Sequence, residues 1–538
     1  MKQERNAAKN ASGNPAGNVA GRSVENPSKR SPGGPSGRWA KASPGSAFGK
    51  SARKTVGNPG RTASKGSPRK PAQGPDARLT AARTLIKLAE NLGYSNILID
   101  KALTADGLTG REAGLATGIF YGCLEKQLTL DFYIDACLSQ QSKVLDLPVR
   151  VILRVAAYQI LFMDKIPDFA AVDEGVAMTR RLRQPKASGF VNGVLRSLLR
   201  KKEQIARTLE EKNSLALRYG VPAELIGLWR ESYGEALTGE MLAAFAQPAK
   251  TYLRVNSCKT DFEALRKEIA AEDPSMRLPG SEGSEPEGMT SVPLFPHAAL
   301  LLSKGHAAKR ESFLAGGYHI QDLSAQLVCA LADPKPGETV YDLCAAPGGK
   351  SFTMAEMMED RGRLFAFDLY ESRVKMIRKG AERLGLACIQ ARVQDALALP
   401  DNLPKGDCVL CDVPCSGYGV IRRKPEIRYK ALAETRALPE LQYQILCHGA
   451  KLLKSSGRLI YATCTLNPAE NQEVVTRFLR NHEDFIPCPM TEFESLRRWA
   501  EPSHQITLMP HAADSDGFFA AVFRKSTSER SSRAGDEF

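Results

Sequence analysis

A short run of small residues separates an apolar segment from a helical pattern in DLCAAPGGKS, residues 342–351. Small side chains let the backbone approach a ligand closely, and a helix that begins there favours an anionic group at its N-terminus. The ending GKS is shared with the Walker A phosphate-binding loop, but that motif needs Gly where this chain has Cys344. The run therefore predicts a nucleotide or nucleoside cofactor, with an ordinary tight turn as the alternative.

Acidic residues follow three other β-rich runs. Asp368 ends LFAFD, about 20 residues after the glycine turn, where a carboxylate can accept hydrogen bonds from ribose hydroxyls. It could equally cap the helix predicted in ESRVKMIRK. Asp395 follows CIQARV and by itself would be a cap or turn residue, and Asp412 ends CVLCD. All three carboxylates thus lie at or just after a predicted strand end.

Two cysteines occupy comparable places, because Cys415 and Cys464 each follow a predicted strand. Three interpretations compete: buried structural thiols, a metal site formed with Cys408 and Cys411, and a nucleophilic thiolate. Convergence on a metal is poor, because Cys411 points away from the neighbouring Asp412 and no nearby His completes a zinc set. We predict no metal, and the position at strand ends favours the nucleophile.

The segments that carry these residues alternate between strand and helix from 311 to 526. Such alternation predicts an open, mostly parallel α/β sheet, in which ligands bind beyond the carboxyl ends of the strands. The predicted strands are VYDLC (340–344), LFAFD (364–368), CIQARV (388–393), CVLCDV (408–413), RLIYATC (458–464) and FFAAVFRK (518–525).

The rest of the chain divides by composition. Residues 78–205 repeat apolar residues at helical spacing and predict an all-helical bundle. Residues 206–310 predict a small α+β connector, with a strand at TYLRVNS (251–257), a helix in DFEALRKEIAAE and a loop at 279–289. Residues 527–538 are a polar tail.

The first 77 residues carry most of the net charge of +14, with 15 basic and 3 acidic side chains and neither Leu nor Ile. Such a segment cannot bury enough apolar surface to order itself, so we predict a disordered basic tail. It can strengthen RNA binding as a polyelectrolyte arm, or it can be a solubilising tail or a transit-like leader.

The chain's 12 cysteines are scattered, and we find neither an export signal nor an apolar run long enough for a membrane helix. We therefore expect a cytoplasmic protein with free thiols and no membrane partner.

Part of the helical region resembles a known family. The segments RVAAYQILF (154–162), AAVDEGVAMTRR (170–181) and SGFVNGVLRSLLR (188–200) are similar to the NusB-type RNA-binding domain. This resemblance implies RNA binding, which periodicity alone does not.

The motifs of the α/β region occur in the order that is typical of the Sun/Fmu family. In these motifs the chain resembles RNA cytosine-5 methyltransferases that use S-adenosylmethionine. The similar segments are DLCAAPGGKS, the Asp368 strand end, VQDA, DVPCSGYGVIRRKPE (412–426), YATCTLNPAENQ (461–472) and DGFFAAVFRK (516–525). Thr465 and Gln472 depart from the usual residues without removing a catalytic group. The NusB-like segment ahead narrows the resemblance to the RsmB type, which implies 16S ribosomal RNA as partner.

The resemblance implies Cys464 as the nucleophile that adds to carbon-6 of cytosine and Cys415 as a participant in its release. It implies that S-adenosylmethionine contacts Cys344, Ala345, Ala346, Pro347, Gly348, Gly349, Lys350, Asp368, Asp395 and Asp412. Arg422, Arg423 and Lys424 could grip RNA phosphate or form a solvated loop. We expect a monomer. The alternatives are methylation of transfer RNA or another ribosomal site, a non-catalytic RNA-binding assembly factor, and a small-molecule methyltransferase.

Overall fold

The computed structural model describes residues 76–90, 94–139, 144–272, 289–291, 298–301, 307–492 and 503–527. The predicted basic and polar tails and the predicted loop at 279–289 lie outside these ranges except at their edges. Within them, no helix is both long and apolar enough to cross a membrane.

The first seven helices of the described chain pack into a helical domain. They are α1 (Ala77–Ala89), α2 (Ser95–Ala105), α3 (Gly110–Glu125), α4 (Gln127–Asp135), α5 (Leu147–Phe162), α6 (Asp168–Arg181) and α7 (Ser188–Glu211). Each presents an apolar face to a shared core, in which Phe120, Ile152 and Leu195 are fully buried. The predicted all-helical bundle is confirmed.

The connector combines helices with a small antiparallel sheet of strand order β2-β3-β1-β4. Its elements are α8 (Leu215–Tyr219), α9 (Ala223–Phe245), β1 (Thr251–Val255), α10 (Phe262–Glu272), β2 (Met289–Ser291), β3 (Ala298–Leu301), α11 (Glu311–Leu314) and β4 (Tyr318–Ile320). The sheet extends past residue 310, into the segment assigned from the sequence to the α/β domain.

The α/β domain contains a sheet of strand order β10-β12-β9-β8-β5-β6-β7, with β11 paired to β12. Its strands are β5 (Thr339–Asp342), β6 (Arg363–Asp368), β7 (Ile389–Val393), β8 (Gly406–Asp412), β9 (Leu453–Thr463), β10 (Phe485–Pro487), β11 (Gln505–Leu508) and β12 (Phe518–Lys525). Strands β5 to β9 are parallel, and β10 to β12 pair antiparallel at one side. The predicted mostly parallel sheet is confirmed; β10 and β11 were not predicted.

Helices cover both faces of this sheet, which explains why its strands are apolar runs without alternation. They are α12 (Leu323–Ala332), α13 (Gly349–Met357), α14 (Glu371–Leu384), α15 (Leu438–Leu452) and α16 (Gln472–Asn481), while the short α17 (Pro510–Ala513) packs against α9. Neighbouring strand residues enter different cores: Cys408 packs on the side of α12 and α13, and Cys411 on the side of α15 and α16.

The segment that follows β8 joins the α/β domain to the helical domain. The buried Arg428 guanidinium donates to the carbonyl oxygens of Glu125 and Gly220, both at 3.4 Å, and to that of Ile421 at 3.0 Å. Tyr429 donates its hydroxyl to the carbonyl of Leu124 at 2.8 Å. Since α3 ends at Glu125, these side chains satisfy carbonyls that a helix end leaves without intrahelical partners. They also hold the helical domain against the loop that begins at Cys415.

Candidate active site

The two cysteines predicted to act together do meet. Strands β8 and β9 are parallel neighbours in which Asp412 lies opposite Ala462, so the residues after them reach the same edge of the sheet. The Sγ atoms of Cys415 and Cys464 are 3.2 Å apart. Both thiols line a cavity of about 720 Å³, within the range of about 300–1,000 Å³ for small-ligand sites.

The two thiols differ in their readiness to ionise. The hydrogen bond from Cys415 lowers the pKa of Cys464 below its usual value, against burial, which acts in the other direction. The same hydrogen bond, together with burial, raises the pKa of Cys415 well above its usual value. Since the thiolate is the nucleophilic form of cysteine, Cys464 is the better nucleophile of the pair.

A buried carboxylate holds the two cysteine loops in register. Glu470 accepts from the backbone N–H of Ser416 at 2.8 Å, from the side-chain amide of Gln442 at 2.9 Å and from that of Asn467 at 3.0 Å. The hydroxyls of Ser416 and Thr465 lie 2.6 Å apart and link the residues that directly follow each cysteine. The sulfur–sulfur distance is thus set by contacts of the neighbouring residues.

We expect Glu470→Gln to shift the alkylation of Cys464 to higher pH and to reduce kcat on the order of tenfold. In the glutamine variant an NH2 group replaces one of the two carboxylate oxygens, so a donor then faces one of the N–H donors that the carboxylate accepts from. The loop relaxes as a result, and the hydrogen bond that lowers the pKa of Cys464 weakens. The pH dependence of iodoacetamide labelling, read at Cys464 by mass spectrometry, measures this. Glu473→Gln, at an exposed site on α16, is the control. An unchanged profile in Glu470→Gln would contradict the assignment.

The glycine turn lies at the edge that holds the thiols. Ala345 donates its N–H to the carbonyl of Phe367 at 2.7 Å, which fastens the loop after β5 to β6. Gly348 has a φ of +110°, and a Cβ there would stand 2.4 Å from the Phe352 ring. Glycine is therefore required at this position by the turn and its packing, before any ligand is considered. Helix α13 begins at the next residue.

Charged residues under this turn are paired with each other. Lys350 Nζ lies 2.6 Å from Asp412 Oδ2. Burial acts against the charge on Lys350, yet Asp412 raises the pKa of Lys350 above its usual value. Burial also raises the pKa of Asp342 to about 7, although this carboxylate accepts from the Ser351 hydroxyl at 2.7 Å. Lys350 thus supports the Asp412 carboxylate, which lines the cavity.

Asp368 ends β6, Asp395 lies two residues after the end of the neighbouring β7, and the two differ in exposure. Asp368 is buried at the end of β6, accepts from the N–H of Tyr370 at 3.1 Å and faces Arg373 at 3.2 Å. Arg373 also donates to the carbonyl of Ala346 at 3.3 Å, so it links this carboxylate to the glycine turn. Asp395 is exposed and accepts from the N–H of Leu397 at 2.9 Å. Neither Asp368 nor Asp395 is among the residues that line the cavity.

These residues fit an adenosyl amino-acid cofactor. Cys344, Ala346, Arg373 and Asp412 line the cavity, and small side chains leave its floor open. A helix N-terminus suits a carboxylate, and a buried strand-end acid such as Asp368 suits ribose hydroxyls.

Two sequence expectations are wrong in part. Arg422 and Arg423 neither grip phosphate nor form a solvated loop: Arg422 is buried and pairs with Asp514 at 3.2 Å, and Arg423 bonds both carboxylate oxygens of Asp516 and pairs with Asp322. Their acidic partners lie about 90 to 100 residues away in the chain and carry no local signal. Of the three cations, Lys424 alone lines the cavity.

The described part of the chain has no group of three or more His, Cys, Asp or Glu side chains close enough to hold a metal ion. Sequence reasoning also missed residues that act in the site. Glu470 lies in the segment YATCTLNPAENQ without a role that its position predicts, and the sequence gives no sign that the helical domain lines the cavity. The pairing of a buried Glu with a backbone N–H far away in sequence follows no spacing rule.

Fold and site together define the class, an S-adenosylmethionine-dependent methyltransferase. The family model of the 16S rRNA methyltransferases RsmB/F matches residues 329–524, and that of the NusB family matches residues 75–200. The Bacillus subtilis protein named "Probable ribosomal RNA small subunit methyltransferase B" is 35% identical over 452 residues, covering 83% of this chain and 98% of that protein. The Vibrio cholerae "Ribosomal RNA small subunit methyltransferase B" is 31% identical, covering 84% and 98%.

Among solved structures, that of PH0851 is 25% identical with a TM-score of 0.70, and it covers 84% of this chain and 98% of that one. The chain therefore belongs to the RsmB/F family of ribosomal RNA methyltransferases, with a NusB-family domain ahead of the methyltransferase domain.

Proposed function

We propose that this protein methylates carbon-5 of a cytosine in 16S ribosomal RNA through a covalent bond between Cys464 and the base. One observation carries the proposal: two thiols lie 3.2 Å apart at a cofactor-sized cavity. The hydrogen bond between them, which lowers the pKa of Cys464, supports Cys464 as the nucleophile. A methyltransferase acting on an oxygen or an amine would need no such pair.

Cytosine carbon-5 is a weak nucleophile, and a covalent step divides one difficult reaction into easier ones. The Cys464 thiolate adds to carbon-6, which makes carbon-5 enamine-like. S-adenosylmethionine, when bound, supplies the electrophilic methyl group. Loss of the carbon-5 proton then restores the ring double bond as the Cys464 sulfur leaves. The base must be unstacked to reach the cavity, so a cytosine in a loop or single strand is the expected target.

We propose that Cys415 assists the release. Its pKa is raised, so it stays protonated and can donate a hydrogen bond to the departing Cys464 sulfur. A leaving thiol of lower pKa departs faster. The hydrogen bond that stabilises the thiolate before attack therefore also helps to end the covalent state.

The residues proposed to hold the cofactor share the carboxyl edge of the parallel strands. The turn would contact the methionine part of the cofactor, Asp368 its ribose, Asp395 its adenine and Asp412 its amine. The residues proposed to hold the cofactor are Cys344, Ala345, Ala346, Pro347, Gly348, Gly349, Lys350, Asp368, Asp395 and Asp412.

We propose a division of labour in which 1–77 is a basic tail, 78–205 binds RNA, 206–310 connects, 311–526 catalyses and 527–538 is a polar tail. Both thiols, the glycine turn and the helical wall of the cavity come from one chain, which supports a monomer as the working unit. All 12 cysteines are free. Two thiols in contact need a reducing compartment to stay so, which supports the cytoplasm.

The test is transfer of radiolabelled methyl from S-adenosylmethionine to protein-free 16S ribosomal RNA, followed by nucleoside analysis. We expect the label in 5-methylcytosine. Label in another nucleoside would overturn the cytosine assignment. Transfer only to transfer RNA would overturn the substrate, and no transfer to any RNA by a protein that binds the cofactor would favour an assembly factor.

A further inference from the structure

The cavity that holds the two thiols has a second wall that the methyltransferase domain does not provide. Leu88, Tyr94 and Leu124 of the helical domain line it together with Cys415 and Cys464. Whatever enters the cavity to reach Cys464 therefore lies between the two domains.

This second wall contains an exposed aromatic side chain of the helical domain, Tyr94. Its residue is 54% exposed, and the ammonium of Lys424 lies 5.3 Å from the ring centroid. Both residues line the cavity. An exposed ring is a surface on which any base can stack, and a lysine beside it can meet the phosphate of the same strand.

The position of the ring is fixed across the domain boundary. Tyr94 is the N-cap residue of α2 and makes no side-chain capping bond. Instead the Glu426 carboxylate accepts from the N–H of Ser95 at 3.1 Å and places a negative charge at the helix N-terminus, where it is stabilising. Lys424 and Glu426 belong to the loop that follows Cys415, so ring and thiol loop are held by one segment.

We infer that Tyr94 and Lys424 form a subsite for the nucleotide beside the methylated one: the ring stacks on the neighbouring base and the ammonium contacts its phosphate. The subsite rests on the proposed function in assuming that the target base enters this cavity. An extruded base leaves its neighbour unstacked, and a stacking surface at the entrance compensates for that loss. The helical domain would thus take part in presenting the target base as well as in holding the RNA.

The test uses the full chain and short RNA substrates that carry an abasic residue on one side of the target or on the other. Tyr94→Ala should raise KM for intact RNA about tenfold or more, the loss expected for one stacked base, with S-adenosylmethionine affinity unchanged. One of the two abasic substrates should raise the KM of the wild type by as much as Tyr94→Ala raises it on intact RNA. The same abasic substrate should cause no further increase in the KM of Tyr94→Ala, because the ring and the base form one contact.

Matched variants separate stacking from structure. Tyr94→Phe keeps the ring and should keep the wild-type KM. The N-cap carbonyl, which accepts from the N–H of Leu98 at 2.9 Å, is retained in Tyr94→Ala. Leu237→Ala removes an exposed apolar side chain, 39% exposed, from α9 of the connector and outside the cavity, and should leave KM unchanged. Lys424→Ala should make the negative slope of log RNA-binding constant against log salt concentration shallower by about 0.7, the change expected when one phosphate contact to a single strand is lost.

Wild-type KM in Tyr94→Ala, or abasic penalties equal in wild type and variant, would overturn the subsite. Total label transferred is the readout, so the result does not depend on which atom receives the methyl group. Nucleoside analysis of wild-type product separately reports on the proposed cytosine-5 reaction, and the two failures are thus distinguishable.

Discussion

Replacing Cys464 by alanine is expected to reduce methyl transfer to RNA by about 10⁴-fold or more, while S-adenosylmethionine binds as in the wild type. In the proposed reaction the thiolate supplies the bond that activates carbon-5. The pKa values of the other thiols that line the cavity, Cys123, Cys344 and Cys415, are raised, so these thiols stay protonated. The glycine turn follows β5 and Cys464 follows β9, so the affinity of the protein for S-adenosylmethionine should not change.

The measurement is single-turnover transfer of label to 16S ribosomal RNA, with cofactor affinity by calorimetry and thermal unfolding as a check on folding. Cys258→Ala, which removes an exposed thiol in the connector, is the matched control and should keep full activity. Activity within a few fold of wild type in Cys464→Ala would sink the nucleophile assignment.

Replacing Cys415 by alanine is expected to trap the protein on its substrate. The variant loses the hydrogen bond that stabilises the Cys464 thiolate, so Cys464 becomes a poorer leaving group while it can still attack. A protein–RNA adduct should therefore accumulate that survives denaturing electrophoresis, and multiple turnover should fall by about 10²-fold or more.

The double variant Cys415→Ala/Cys464→Ala is the control, and no adduct should form in it, since Cys464 provides the bond. Normal turnover by Cys415→Ala without a denaturation-resistant adduct would remove Cys415 from release. An adduct that persists in the double variant would place the covalent bond on another residue.

The strand-end placement of the acids and cysteines could be predicted because it depends on local pattern. Apolar runs of five or six residues between helical patterns define a parallel sheet, and in such a sheet the residues after each strand share one edge. The sequence pattern thus places Cys415 and Cys464 near each other, and their sulfurs lie 3.2 Å apart.

Pairings between distant residues could not be predicted in the same way. Arg423 follows the Cys415 loop and looked available for RNA, yet it bonds Asp516 across 93 positions of sequence. Glu470 reaches Ser416 across 54. A charged side chain gives no local sign of the partner that it will meet, because that partner is chosen by how whole elements pack.

Periodicity and residue type over a few positions thus determined the sheet, a nucleotide or nucleoside cofactor and the strand-end position of the two thiols. Tertiary structure alone decided which thiol has the lowered pKa, which of the three cations after Cys415 form ion pairs and that a helical domain lines the cavity. These properties arise from contacts such as that of Tyr429 with Leu124, 305 residues apart, whose geometry and burial exist only once the domains have packed.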